Sequence, residues 1–173
     1  MGLLDSLKDV LSQYGNKSAQ NNAQAGEHFD QVAQAAPPNL IAEGLSAVFH
    51  SDQTPAFGNL VGNLFSQSNG EQKAGMLNQL LASVGPSALT QLAGGGALAG
   101  LLGGGAKQIT PEQAQNVSPE LVQQIAVHAE KADPSIIDKA SAFYAQHPTL
   151  IKTLGGAALS IALAKVAERQ KAA

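Results

Sequence analysis

The sequence of 173 residues predicts an all-α protein: a multi-helical domain of about eight to ten short helices, preceded by a leashed amphipathic helix and containing a Gly-rich apolar segment. Apolar residues recur with the period of a helix along most of the chain. Alanine and leucine, two strong helix formers, are the commonest residues, at 30 and 21. No run alternates Val, Ile or Thr with polar residues between turn signals, as a strand would.

Residues 1–14 predict an amphipathic helix of about three turns. So short a helix is marginally stable alone, and we expect its apolar stripe to dock on a partner. Asp5 and Asp9 outnumber Lys8, which makes attraction to anionic lipid weak. We therefore favour a protein partner, either this domain or a neighbouring copy, with a membrane surface as the alternative. The stripe consists of Leu3, Leu4, Leu7, Val10, Leu11 and Tyr14.

Residues 15–26 contain no large apolar side chain and predict a flexible polar linker. The helical domain is therefore expected to occupy residues 27–173. Proline and small polar residues punctuate its first helices: the first ends at Pro37-Pro38, and Thr54-Pro55 predicts an N-cap with a first-turn proline. A further break is predicted at Ser68-Asn69-Gly70, and a helix end at Gly85-Pro86.

Residues 94–105 form a Gly-rich apolar segment, expected to divide the domain into two helical subregions. Seven of its twelve residues are Gly, and each costs a helix about 1 kcal/mol relative to Ala. Gly96, Gly100 and Gly104 have the four-residue spacing that lets two helices approach closely. The stretch without a polar side chain, Leu92 to Ala106, is shorter than the roughly 20 residues of a membrane span. A tightly packed helix or a loop is expected here.

The remainder of the chain predicts helices with clear starts. Thr110-Pro111-Glu112-Gln113 resembles a capping box, and Ser118-Pro119 and Asp133-Pro134 repeat the pairing of a cap with a proline. The last helix is predicted from Thr149 to about Arg169, and its uncharged stretch, Thr153 to Ala164, is apolar nearly all round, which is typical of a buried helix. We expect a central core helix, with a subunit interface as the alternative.

Composition argues against several classes of function. Ten cations against thirteen acids and seven aromatic residues disfavour nucleic-acid binding. Cysteine is absent, and the four histidines lack the spacing of helical metal ligands, so no metal or other cofactor is expected. No nucleophile-elbow or phosphate-loop motif occurs. We therefore expect a non-enzymatic protein with no catalytic residue and no small-molecule substrate.

The opening Met1-Gly2-Leu3-Leu4-Asp5, the polar linker, the repeated short helices and the Gly/Leu-rich middle resemble the bacterial YidB-like family of small proteins. The resemblance covers about the first two thirds of the chain, and the segment after Thr110 extends beyond the short family members. That family is all-helical and largely of unknown function, and it supplies no catalytic residue. The resemblance implies a bacterial, cytoplasmic protein.

These patterns together predict a structural or scaffolding protein that self-associates through apolar helices into an oligomer or filament. The expected contacts are the N-terminal stripe and the three spaced glycines, Gly96, Gly100 and Gly104. The alternative is a helical protein that associates with a membrane surface or binds an apolar ligand.

Overall fold

The computed structural model describes residues 5, 8–12, 24–84 and 108–172. In these ranges the secondary structure is entirely helical, with no strand, so the all-α prediction is confirmed. Residues 8–12 are helical, and nine α-helices and one 3-10 turn follow them in the described ranges. The helices are α1 Ala25–Ala35, α2 Pro38–His50, α3 Phe57–Gln67, α4 Gly70–Val84, α5 Pro111–Gln115, α6 Pro119–Ala132, α7 Ile136–Ala145, α8 Pro148–Ile151 and α9 Gly156–Ala172.

The chain divides into two compact units, and the second is inserted in the sequence between two segments of the first. The first contains Met1–Ala56 and Ser141–Ala173, and the second contains Phe57–Ala140. The sequence analysis placed a division at residues 94–105, which lie outside the described residues. The chain leaves the first unit after Ala56 and re-enters it at Ser141, 85 residues later, so the segment Ser141–Ala173 completes that unit.

In the first unit, α9 packs along α2 and also against α1. Gly44 permits the close approach of α2, because a Cβ atom there would lie 2.8 Å from the Ala162 carbonyl oxygen. It would also lie 3.2 Å from Cγ2 of Val166. The core-helix prediction for the C-terminal segment agrees with this packing, since Leu159, Leu163 and Val166 are buried.

The helix predicted from Thr149 to Arg169 is interrupted. The chain forms α8, then a 3-10 turn over Lys152–Leu154, and α9 starts only at Gly156. Gly155 has φ +94°, a left-handed conformation that L side chains rarely adopt and that ends the first helical stretch. The helical domain predicted from residue 27 starts two residues earlier, because α1 begins at Ala25, which is buried.

In the second unit, α3 packs against α6, and α4 packs against α5 and α6. Gly58 and Gly62, one turn apart on α3, bring this helix close to α6. A Cβ atom at Gly58 would lie 2.9 Å from the carbonyl oxygen of Gln123, and one at Gly62 would meet the side chain of the same residue. The side-chain amide of Asn78 joins α4 to the segment before α5, because it accepts from the Ile109 N–H (2.7 Å) and donates to the Ile109 carbonyl (3.1 Å).

Two of the predicted helix starts are confirmed. The Thr110 hydroxyl accepts from the Gln113 N–H at 3.3 Å and the Gln113 side chain accepts from the Thr110 N–H at 3.1 Å, forming a capping box. Ser118 caps α6 through the Leu121 N–H. The third predicted start, at Asp133-Pro134, falls too early: the Asp133 carboxylate accepts the Ser135 N–H at 3.1 Å, but Asp133 is the C-cap of α6 and α7 begins only at Ile136.

The predicted cap at Thr54 is wrong. Its hydroxyl donates to the carbonyls of Val48 (2.6 Å) and Ser51 (3.1 Å) at the end of α2, and α3 begins only at Phe57. The orphan carbonyls at a helix end compete for the same hydroxyl that a following helix would use.

No helix within residues 24–84 and 108–172 combines the length and the hydrophobicity that crossing a bilayer requires.

Candidate helix-docking site

Two residues of the N-terminal apolar stripe are buried in the chain. Val10 and Leu11 belong to the helical residues 8–12, and their exposed fractions are 8 % and 3 %. Their neighbours Lys8, Asp9 and Ser12 are exposed. Such burial stabilises a docked helix by about 1.5–3 kcal/mol for each large apolar side chain. The segment therefore packs by the face that its amphipathic pattern indicates.

The surface next to this segment is the C-terminal end of α9. Lys8, Leu11 and Ser12 line a half-open pocket together with side chains of α9. The α9 contributors to this pocket are Ala167, Gln170 and Lys171. We call residues 8–12 with these three residues the helix-docking site. It lies wholly within the first unit.

A separate face of α9 faces α2. Ala162, Val166 and Arg169 follow the spacing of one helix face, whereas Ala167, Gln170 and Lys171 follow that of another. Ala162 and Val166 on the first face lie against Gly44. Arg169 on the same face forms an ion pair with Glu43, and this ion pair does not have hydrogen-bond geometry. α9 is thus held by α2 on one side while its other side is available to the N-terminal segment.

The predicted contact residues fall into two groups. Val10 and Leu11 lie in the described residues and are buried at the helix-docking site. The sequence left open whether the stripe docks on its own domain or on a neighbouring copy, and the structure has Val10 and Leu11 buried within their own chain. The other predicted contacts lie outside the described residues: Leu3, Leu4, Leu7, Tyr14, Gly96, Gly100 and Gly104.

Sequence reasoning did not identify the acceptor half of this site. Ala167, Gln170 and Lys171 follow the stretch Thr153 to Ala164 that was predicted to be apolar all round, and that pattern indicates burial without identifying a partner. The paired glycines Gly58 and Gly62 were also missed, although their four-residue spacing is legible in the sequence.

Among the described residues, the pocket of this site is lined by two lysines, Lys8 and Lys171, and by no carboxylate or histidine. Carboxylates form surface ion pairs elsewhere: Asp133 with Lys139 at 2.8 Å, Asp30 with Lys152 at 2.6 Å, and Glu168 with Lys165 at 3.4 Å. Hydrogen bonds from Lys139 and Ser135 lower the pKa of Asp133 to about 2. Within the described residues no group of His, Asp and Glu side chains could hold a metal ion.

A second open groove of about 310 Å³ lies between α3 and α6. Its lining consists of amides, one imidazole and one apolar side chain, and no Lys, Arg, Asp or Glu is among them. These residues are Asn59, Gln123, Gln124, Val127 and His128.

Comparison with protein-family models, with curated proteins and with solved structures gives no match to this chain. The geometry of the helix-docking site is therefore the basis for the function proposed below.

Proposed function

We propose that this protein is a non-enzymatic scaffold that self-associates by exchanging its N-terminal helix between copies. The observation that carries the proposal is the burial of Val10 and Leu11 beside the end of α9, at the far side of a polar linker. Any contact that a segment makes within its own chain can also be made with an identical chain, and this is domain swapping.

The linker length decides which of the two arrangements prevails. Gly26 lies near Lys152, which precedes α9, whereas Ser12 lies near Gln170 at the other end of that helix. These ends are about 21 Å apart, from the rise of 1.5 Å per residue along α9. Twelve residues, 13–24, join Ser12 to α1. A flexible chain of that length would have an r.m.s. reach of about 20 Å, which just spans the distance needed for docking within one chain.

The effective concentration of a tethered segment is of millimolar order when its linker matches the span. Docking within one chain therefore dominates in dilute solution, and exchange requires crowding or a constraint on the linker. Reciprocal exchange between two chains gives a closed dimer, whereas serial exchange gives an open chain of subunits. Both outcomes fit a scaffold that assembles where it is locally concentrated.

The proposal is tested by complementation between two full-length variants. Leu11→Asp removes the docking side chain and leaves the α9 surface vacant. Ala167→Lys obstructs that surface with a long cation near Lys8 and Lys171, while its N-terminal stripe stays intact. We expect neither variant alone to associate, and their mixture at high micromolar concentration to form a heterodimer in sedimentation velocity.

The matched control carries both substitutions in one chain, which can neither donate nor accept a helix. Circular dichroism checks that each variant retains its helices. A mixture that sediments as two monomers contradicts the proposal, as does equal association of the double variant, because contacts elsewhere would then hold the copies together.

A further inference from the structure

The pocket at the helix-docking site has a volume of about 240 Å³ and is open to solvent on one side. An engineered apolar cavity of about 150 Å³ holds benzene, whereas sites for drug-sized ligands start near 300 Å³. The pocket is thus of a size for one short alkyl chain, with the end of a longer chain reaching solvent.

Its wall is largely apolar. Leu11 from the N-terminal segment and Ala167 from α9 are 3 % and 2 % exposed, and both line the pocket. Because the fold already buries both side chains, an alkyl chain placed there gains mainly by removing its own apolar surface from water, at about 25 cal/mol per Å². The two walls belong to separate segments, so a ligand lying between them contacts both.

Among the described lining residues, the charged groups are two lysines, Lys8 and Lys171. Both side chains are exposed, and the six lining residues that the structure describes include no Asp or Glu. The cations that the structure pairs with described carboxylates are Lys139, Lys152, Lys165 and Arg169, and none of these four lines the pocket. Gln170 adds a neutral amide at the rim.

We infer that this pocket binds a free single-chain amphiphile with a carboxylate head group, the chemical class of a fatty acid. Its carboxylate accepts hydrogen bonds from the ammonium groups of Lys8 and Lys171, and its alkyl chain lies on Leu11 and Ala167. A carboxylate between two cations makes charge-assisted hydrogen bonds, which are the stronger kind. No bond to the ligand is made or broken.

Binding of this kind has a consequence for the N-terminal helix. Because the ligand contacts both the helix and α9, it binds the docked state and stabilises that state by mass action. The amphiphile thus holds the N-terminal helix in its docked position. The pocket requires only the docked segment, so the inference stands whether or not the helix is exchanged between copies.

The test is a titration of the full-length monomer with sodium decanoate below its micelle concentration, followed by calorimetry and by the methyl NMR signals of Leu11. Decanol and decyltrimethylammonium serve as neutral and cationic probes with the same chain. We expect saturable 1:1 binding of decanoate, weaker binding of decanol, and the weakest binding of the cation. Added salt should weaken only the binding of decanoate.

The decisive variant is Lys8→Gln/Lys171→Gln, and the matched control is Lys73→Gln/Lys131→Gln, which removes two charges that do not line the pocket. We expect the first pair to weaken decanoate binding about tenfold or more, as the loss of charge-assisted hydrogen bonds implies, and to leave decanol binding within about twofold. The control pair should bind decanoate as the parent does.

Three results would overturn the inference. The first is equal decanoate affinity in the parent and in the Lys8→Gln/Lys171→Gln variant. The second is binding of the cationic probe as tight as that of decanoate. The third is capture by anionic phospholipid vesicles without binding of monomeric decanoate, which would assign the surface to a membrane. Each is measured on the monomer and therefore does not depend on self-association.

Discussion

At the scale of single residues, the best-determined features are those in which a side chain satisfies nearby backbone groups. The capping box of Thr110 and Gln113 was legible in the sequence because both partners lie within three residues. The same device at Asn69 and Gln72, where each side chain accepts the other's backbone N–H, was read only as a break. Thr54 shows the limit, since its acceptors belong to the preceding helix.

Tyr144 carries a buried phenol that lacks a hydrogen-bond partner among the described residues. Its ring stacks edge-on with Phe143 at 5.3 Å, and burial raises the pKa of its hydroxyl above the ordinary value. A buried hydroxyl without a partner loses its hydrogen bonds to water and gains none from the protein in their place. The ring therefore stabilises the first unit, whereas the hydroxyl opposes it.

We predict that Tyr144→Phe raises the free energy of unfolding by about 1 kcal/mol, because it removes the unsatisfied hydroxyl and keeps the ring. Tyr144→Ala serves as the control and should lower it by about 3–5 kcal/mol through loss of the buried ring. Urea denaturation followed by circular dichroism measures both. A loss of more than 1 kcal/mol in Tyr144→Phe would show that the hydroxyl has a partner.

At the scale of helices, the type of each described element was predictable, whereas the exact breaks and contacts were not. Periodicity and caps depend on residues close in sequence, so α4, α5 and α6 lie where the patterns place them. The break at Gly155 depends on which of two adjacent glycines adopts a positive φ, and composition does not specify this. Gly44 likewise becomes significant only when α9 lies against it.

We predict opposite effects for alanine at two helical glycines of the first unit. Gly44→Ala places a methyl group 2.8 Å from a backbone oxygen of α9 and should destabilise the fold by about 1–3 kcal/mol. Gly26→Ala, whose Cβ would meet only the Lys152 side chain at 3.9 Å, should stabilise it by up to about 1 kcal/mol through helix propensity. Thermal unfolding of both variants tests the pair. Equal stabilisation of the two would mean that α2 and α9 do not approach so closely.

At the scale of the whole molecule, the insertion of the second unit between two segments of the first could not be predicted from the sequence. In the sequence, the second unit separates the N-terminal segment of the first unit from its C-terminal segment. No local sequence pattern indicates that these two distant segments fold together. For the helix-docking site, the sequence predicted one partner, the apolar stripe containing Val10 and Leu11. It did not indicate which surface of the last helix receives that stripe, because α9 is apolar on more than one side.

The central claim of the account is that the docking of residues 8–12 on α9 passes from one chain to another when the linker prevents docking within the chain. Deleting residues 15–22 leaves three residues between Ser12 and Gln24. These span at most about 14 Å, against the roughly 21 Å along α9 that must be bridged. Replacing the same eight residues by a Gly/Ser segment of equal length preserves the span and is the matched control.

The most direct measurement is light scattering of these two chains over a range of concentrations, with the parent beside them. The account predicts that the shortened chain forms a dimer or a larger assembly at concentrations where the parent and the Gly/Ser control are monomers. Adding Leu11→Asp to the shortened chain should return it to a monomer. A shortened chain that stays monomeric at high micromolar concentration, or one that associates equally well with Leu11→Asp, would contradict the account.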